Sequence, residues 1–257
     1  MESFIMNVLY YDCFCGISGD MNLGALLDLG VDEHYLRLEL AKLNLDAEYA
    51  LQVKKDNKSG ISGTRVDVLL KEEMHNHRQD HHHEVQTEME SEKGHTHHAH
   101  RNLKDIENII INSRLSDKVK ELSLAIFTKV AEAEAKVHGK SLYEVHFHEV
   151  GAVDSIVDIV GAAVCLEYLK VDKIMASSVQ LGGGFVKCVH GIIPIPAPAT
   201  VEILKDIPVK LGLVPFETTT PTGAAILAAN VGTFTGEKKS LPIVILPLFR
   251  QELLTCR

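Results

Sequence analysis

Apolar positions along this chain change period several times, and each change marks an element. A short apolar run over residues 7–11 reads as a strand; it stops at Asp12, turns through a Gly/Ser-rich stretch to Asp20, and gives way to MNLGALLDLG, apolar at helical spacing. A second helical pattern runs from about Asp32 to Leu43 and ends at Asn44. In YALQVKKDNKSGISGTRVDVLL two strands are expected, with residues 57–60 and Gly63 as turn signals. The pattern then vanishes over residues 74–100 and resumes as two helices divided near residues 113–116, with Ser116 as N-cap of the second. Farther on, HFHEVGAVDSIVDIVGAAVCLEYL reads as a polar segment entering a helix, and KIMASSVQLGGG as a strand running into three glycines. Two Pro-containing approaches, GIIPIPAPATVEIL and TTTPTGAAILAANV, each lead into a helix, the first beginning near Ala197.

These elements predict an α/β fold, a mixed sheet with flanking helices, interrupted by a disordered insert. Residues 1–73 and 101–236 form its body, 74–100 the insert, and 237–257 an atypical tail in which Pro242 and Pro247 interrupt strand hydrogen bonding. The tail is expected to add little to the fold. No fixed-period repeat is present.

With 257 residues and 46% hydrophobic composition the chain can bury a sizeable core. Its five scattered cysteines, without a CxxC pair, point to a reducing compartment rather than a disulfide framework. The opening MESFIMNVLY has no basic, long-apolar signal pattern, and no apolar run approaches the roughly 18 residues that span a bilayer, so a cytoplasmic location is expected. A net charge of −9 argues against binding to nucleic acid or to an anionic membrane.

Nine of the fourteen histidines, His75, His77, His81, His82, His83, His95, His97, His98 and His100, lie in the insert. Neutral imidazole ligates zinc, copper, nickel and iron, and dense His in a mobile stretch lets several rings reach one ion, so the insert reads as a metal collector. A solvated stretch whose histidines do nothing is the competing reading.

Two constellations carry further chemistry. In YYDCFCGISGDM, a strand ends at Asp12 and turns through Gly16, Ser18 and Gly19, offering amides to an anion, while Asp12 and Asp20 suit a hard divalent ion. Asp20 as a simple helix cap stands level with that reading. In HFHEVGAVDSIVDIVGAA, His146, His148 and Glu149 precede a helix that carries Asp154 and Asp158 one turn apart, a candidate metal or acid–base set. Asp158 weighs most, because an unpaired carboxylate within IVDIVGAA is costly. His190 after the glycine run, with Thr220, Thr222 and Gly223 in TTTPTG, adds a ligand- or phosphate-holding loop, although the prolines there serve equally to stiffen turns. Asp12, Asp20, His146, His148, Glu149, Asp154 and Asp158 are expected to converge on one pocket.

In four segments, DCFCGISGDMNLGALLDLGVD, HFHEVGAVDSIVDIVGAA, GGGFVKCVHGIIPIPAPAT and ETTTPTGAAIL, the chain resembles the LarC family of nickel-insertion proteins. The resemblance implies insertion of Ni²⁺ into pyridinium-3,5-bisthiocarboxylic acid mononucleotide, linked to CTP hydrolysis with Mn²⁺ or Mg²⁺: a nickel chelatase of the lyase class when complete. It also implies a nucleotide-binding C-terminal domain after TPTGAA. That domain's opening is not matched by GEKKSLPIVILPLFRQELLTCR, and in some members it is read in another frame, so residues from about Glu237 look like an out-of-frame tail. Partners implied are the mononucleotide, that domain as a separate chain, or further copies in a homo-oligomer. Cys15 stands where the family pattern has Ser or Ala. The alternative from another class is a non-catalytic nickel store or carrier; phosphatase-like hydrolysis at Asp12 and Asp20 finds no further support in the chain.

If the insert collects metal, deleting residues 74–100 lowers the number of Ni²⁺ ions bound per chain and leaves the fold intact. Uptake by the full chain should weaken between about pH 7.5 and 5.5, because protonated imidazole cannot ligate. Calorimetric titration checks both; equal uptake with and without the segment removes the assignment.

Overall fold

The first strand, β1 (Val8–Asp12), is apolar on both faces, and Leu9, Tyr10 and Tyr11 are all buried. That is the signature of a strand inside a parallel sheet covered on both sides. In the computed structural model, which describes residues 7–58, 60–71, 101–145, 147, 152–188, 191–235 and 244–247, β1 lies between β10 (Val244–Pro247) and β4 (Lys173–Ser177), with β9 (Thr233–Thr235) beyond β4. All three pairings are parallel, Leu9 lying opposite both Val244 and Ile174. The chain builds outward from β1 through β4 to β9 and then crosses to the other side of β1. Such a reversal marks where open α/β sheets bind ligands, beyond the carboxyl ends of the strands.

Helix α1 (Gly19–Asp28) follows β1, and α2 (Glu33–Ala41) follows it, capped by Asp32, which accepts from Tyr35 N at 2.7 Å. The hairpin of β2 (Tyr49–Lys58) and β3 (Ile61–Leu70) lies on α1, where Gly24 lets the Thr64 carbonyl approach the helix backbone. Gly63 is not a turn: it pairs with Asp56 inside the ladder, because the reversal is completed around Gly60, whose φ is +84°.

Both flanks of the His-rich stretch are fastened to one residue. Lys71 N donates to the Glu48 carbonyl at 2.9 Å, and the Arg101 guanidinium meets both Glu48 carboxylate oxygens at 2.7 Å. The predicted insert itself, residues 74–100, lies outside the described residues.

Two helices resume where expected: α3 (Leu103–Ile111), with an Asn102/Asp105 capping box, and α4 (Asp117–His138). Ser116 caps α4 by accepting from Val119 N, and Gly139 ends it in the left-handed region at φ +62°. α5 (Val153–Tyr168) is buried nearly all round, as a central helix must be, and packs against α1, α2 and α4. α6 (Pro198–Ile203) and α7 (Pro221–Asn230) both begin with proline and pack on α4.

Three further features depart from the sequence reading. The stretch after β4 breaks at Ser178 into β5 (Val179–Gln180), which pairs with β8 (Val209–Lys210). The glycine run opens a hairpin of β6 (Phe185–Cys188) and β7 (Gly191–Pro194) instead of a plain Pro-rich approach. Within the tail, Val244–Pro247 takes an edge position beside β1 where little contribution was expected. Proline is tolerated there because an edge strand does not need every ladder donor.

Candidate functional site

The site is built where the loop after β1 meets two segments distant in sequence. Asp12, buried at the carboxyl end of β1, starts the loop. Cys13 N donates to Ser177 Oγ at 2.9 Å, and the Cys13 carbonyl accepts from Gln180 N and Gly16 N, both at 3.1 Å, so the loop is tied to the end of β4. Ile17 then joins the segment before α7: its N–H donates to Thr219 Oγ1 at 3.3 Å, and its carbonyl accepts from Thr220 N at 3.1 Å. The contact requires glycine. A Cβ on Gly16, already at φ +84°, would overlap the Thr218 carbonyl, and one on Gly223 would overlap that of Ile17.

Two helix N-termini therefore stand side by side, and they are finished differently. At α7, Thr220 Oγ1 accepts from Gly223 N at 3.2 Å. At α1, Ser18 makes no side-chain cap; its hydroxyl donates instead to Asp20 Oδ1. Asp20 is thus a first-turn residue held by Ser18, not the cap, and Ser18 leaves the first amides of α1 uncapped.

The second turn of α5 closes the site. Asp158 packs directly on Gly19, where a Cβ would stand 2.6 Å from the Asp158 Cβ. Asp158 Oδ1 is sealed from solvent and has no hydrogen-bond partner. Burial, followed by the nearby charges of Asp20 and then Asp154, pushes its carboxyl well above the usual range. Asp158 therefore keeps its proton at a pH where ordinary carboxylates have lost theirs. Burial, with Asp12 and Cys15 adding to it, also pushes up the Cys13 thiol, and burial raises Cys165 to about 12, so these act as inert core thiols.

The structure thus brings Asp20, Asp154 and Asp158 into one electrostatic cluster beside Gly16, Ser18, Gly19, Thr222 and Gly223. Thr220 serves as the α7 cap, while the Thr218 and Thr219 hydroxyls donate to the Gln180 carbonyl at 2.8 and 2.7 Å. The glycines of the 182–184 run admit the chain's own backbone: a Cβ on Gly182 would overlap the Phe216 carbonyl. His146, His148, Glu149, His190 and the nine insert histidines lie outside the described residues. Among the described residues, no three His, Cys, Asp or Glu side chains are grouped closely enough to hold a metal ion. No described helix is long and apolar enough to cross a membrane.

One residue escaped the sequence reading. Asn22, one turn into α1 and fully buried, has no partner for either amide atom. Its only sequence signal was an amide inside the otherwise apolar MNLGALL.

A family profile described as nickel insertion protein matches residues 9–244. The chain is 67% identical over 250 residues to a pyridinium-3,5-bisthiocarboxylic acid mononucleotide nickel insertion protein of Clostridium acetobutylicum, covering 90% of this chain and 57% of the relative. Proteins of the same description from Clostridium kluyveri and Geobacillus kaustophilus are 64% and 48% identical, over 90% and 89% of this chain and 55% and 52% of theirs. The chain thus spans little more than half the length of these relatives. No solved structure matches it.

Asn22 and Asp158 both cost stability, and the cost can be measured. Asn22→Leu removes two orphaned polar atoms and should raise stability by about 1 kcal/mol or more. The folded state holds the Asp158 proton more tightly than the unfolded chain, whose carboxyl titrates near about 3.9. Stability is therefore lost as pH rises above that value towards the folded-state pKa, and the loss persists beyond it. Asp158→Asn lacks this loss, so its melting temperature should exceed the parent's by more at pH 7 than at pH 4; a margin that narrows with rising pH contradicts the assignment.

Proposed function

The chain belongs to the nickel insertion protein family, and from that premise we propose that it is the nickel-gathering, mononucleotide-binding part of a protein that inserts nickel into pyridinium-3,5-bisthiocarboxylic acid mononucleotide. The observation that carries this reading is the uncapped start of α1, set beside the start of α7 and faced by Asp158. Backbone amides there suit a phosphate without demanding a basic side chain. Asp158, holding its proton, spares an incoming anion the repulsion of one more carboxylate.

Insertion requires that Ni²⁺ shed water, that bonds form from the metal to the pyridinium ring and its sulfurs, and that the ring C4 proton pass to a base. In this reading the insert histidines gather the ion and release it, since neutral imidazole ligands exchange readily. His146, His148 or Glu149 receives the C4 proton, and Asp154, Asp158 and Asp20 set the local charge. Gly16, Ser18, Gly19, Thr222 and Gly223 cradle the mononucleotide, with Thr220 holding the α7 amides in place and Asp12 and His190 contributing further contacts to it. By the family resemblance we assign CTP with Mn²⁺ or Mg²⁺ to the length of the relatives that this chain does not span. A nickel store or carrier without catalysis is the competing reading.

Titration of the nickel-free mononucleotide into the chain separates the two. The proposed reading expects saturable binding, weakened at least tenfold in Gly19→Val and unaffected by deletion of residues 74–100. A parent chain that takes up nickel but does not bind the mononucleotide leaves only the carrier reading. CTP turnover by the 257-residue chain alone would overturn the division of labour.

A further inference from the structure

The β6–β7 hairpin carries a bare apolar face. Phe185 pairs with Pro194 and Lys187 with Ile192, so by strand alternation these four residues share one side. Phe185 and Ile192 are each 73% exposed. The segment after β8 continues the surface: Gly212 N donates to the Gly182 carbonyl at 2.8 Å, Gly184 abuts Pro215, and Leu211 and Leu213 are 65% and 61% exposed. Four large apolar side chains displayed on neighbouring segments exceed the scattered exposure a monomer tolerates and mark a covered surface.

The location narrows what covers it. Gly182 bridges to Glu217, and Thr218 N reaches the Leu181 carbonyl at 3.5 Å, so the face belongs to segments that lead into residues 218–220 of the candidate site. Relatives of this chain run to nearly twice its matched length. Lys187 stands on this face beside Phe185 and Ile192, so two copies of the face brought together would each present a lysine to the other's surface, a like-charge arrangement that costs affinity.

We propose that the face formed by Phe185, Ile192, Pro194, Leu211 and Leu213 is the docking surface for the additional domain that the longer relatives carry, which meets it with an apolar centre and an acidic rim opposite Lys187 and Lys210. Docking there would brace the 211–217 segment and so steady the approach to α7. The proposal rests on family membership and the exposed face, not on the chemistry assigned to the site.

Amide hydrogen exchange tests it without reference to nickel insertion. Exchange over residues 185–188, 191–194 and 211–214 is measured in this chain alone, in this chain mixed with the remaining portion of the Clostridium acetobutylicum relative, and at the corresponding segments of that full-length relative. Slowing of at least tenfold is expected in the full-length relative, and in the mixture where the added portion folds. Phe185→Ser/Ile192→Ser, at exposed positions, should abolish the slowing in the mixture with an unchanged melting temperature, and the corresponding changes in the full-length relative should speed exchange there. Equally fast exchange in the full-length relative overturns the proposal. So does a concentration-dependent dimer of this chain alone that the double substitution dissolves, which would assign the face to a second copy.

Discussion

The peptide of Ile17 is the joint on which this molecule turns. It is hydrogen-bonded on both sides to residues 219 and 220, about two hundred positions away, and it reaches them only because Gly16 and Gly223 carry no side chain. The joint fixes where α1 begins relative to α7, and Gly19 fixes where α5 crosses α1. The helices behind it, and the parallel sheet around β1, are in this sense the mounting for one loop. The body of the fold depends on contacts remote in sequence, which must be assembled before they repay their loop-closure entropy.

What the joint holds is not optimised for stability. A carboxyl with a sealed, unpartnered oxygen and a fully buried, unpartnered amide lie about one turn into two central helices. Apolar replacements of similar shape would serve a core better. Local rules are broken in this way mainly where a site needs them broken. The same economy explains the glycines, whose backbone entropy cost on folding is accepted for close approach.

Much of this could be read from the sequence because it is local. The strand–loop–helix unit, the Ser116 cap, the turn at Asn44 and the proline-led starts of α6 and α7 all follow from periodicity and capping chemistry over a few residues. What could not be read is non-local. Gly63 resembles a turn residue until Asp56 is placed opposite it; the β6–β7 hairpin hides in a Pro-rich stretch; and Val244–Pro247 gains meaning only from its parallel neighbour β1. Asp158 announced itself as an acid in an apolar run, and Asp20 and Asp154 add to the burial that raises its pKa. Asn22 carries the same signal more faintly, because an amide in a helix is common until its burial is known.

The proposed role of the joint requires that the mononucleotide bind there. Backbone amide chemical shifts, followed while nickel-free pyridinium-3,5-bisthiocarboxylic acid mononucleotide is added to the isotopically labelled chain, locate it directly. The largest changes should fall on the amides of residues 16–20 and 220–223, with smaller ones at Asp154 and Asp158. Saturable shifts confined to other surfaces, with those amides unmoved, would contradict the assignment of the site.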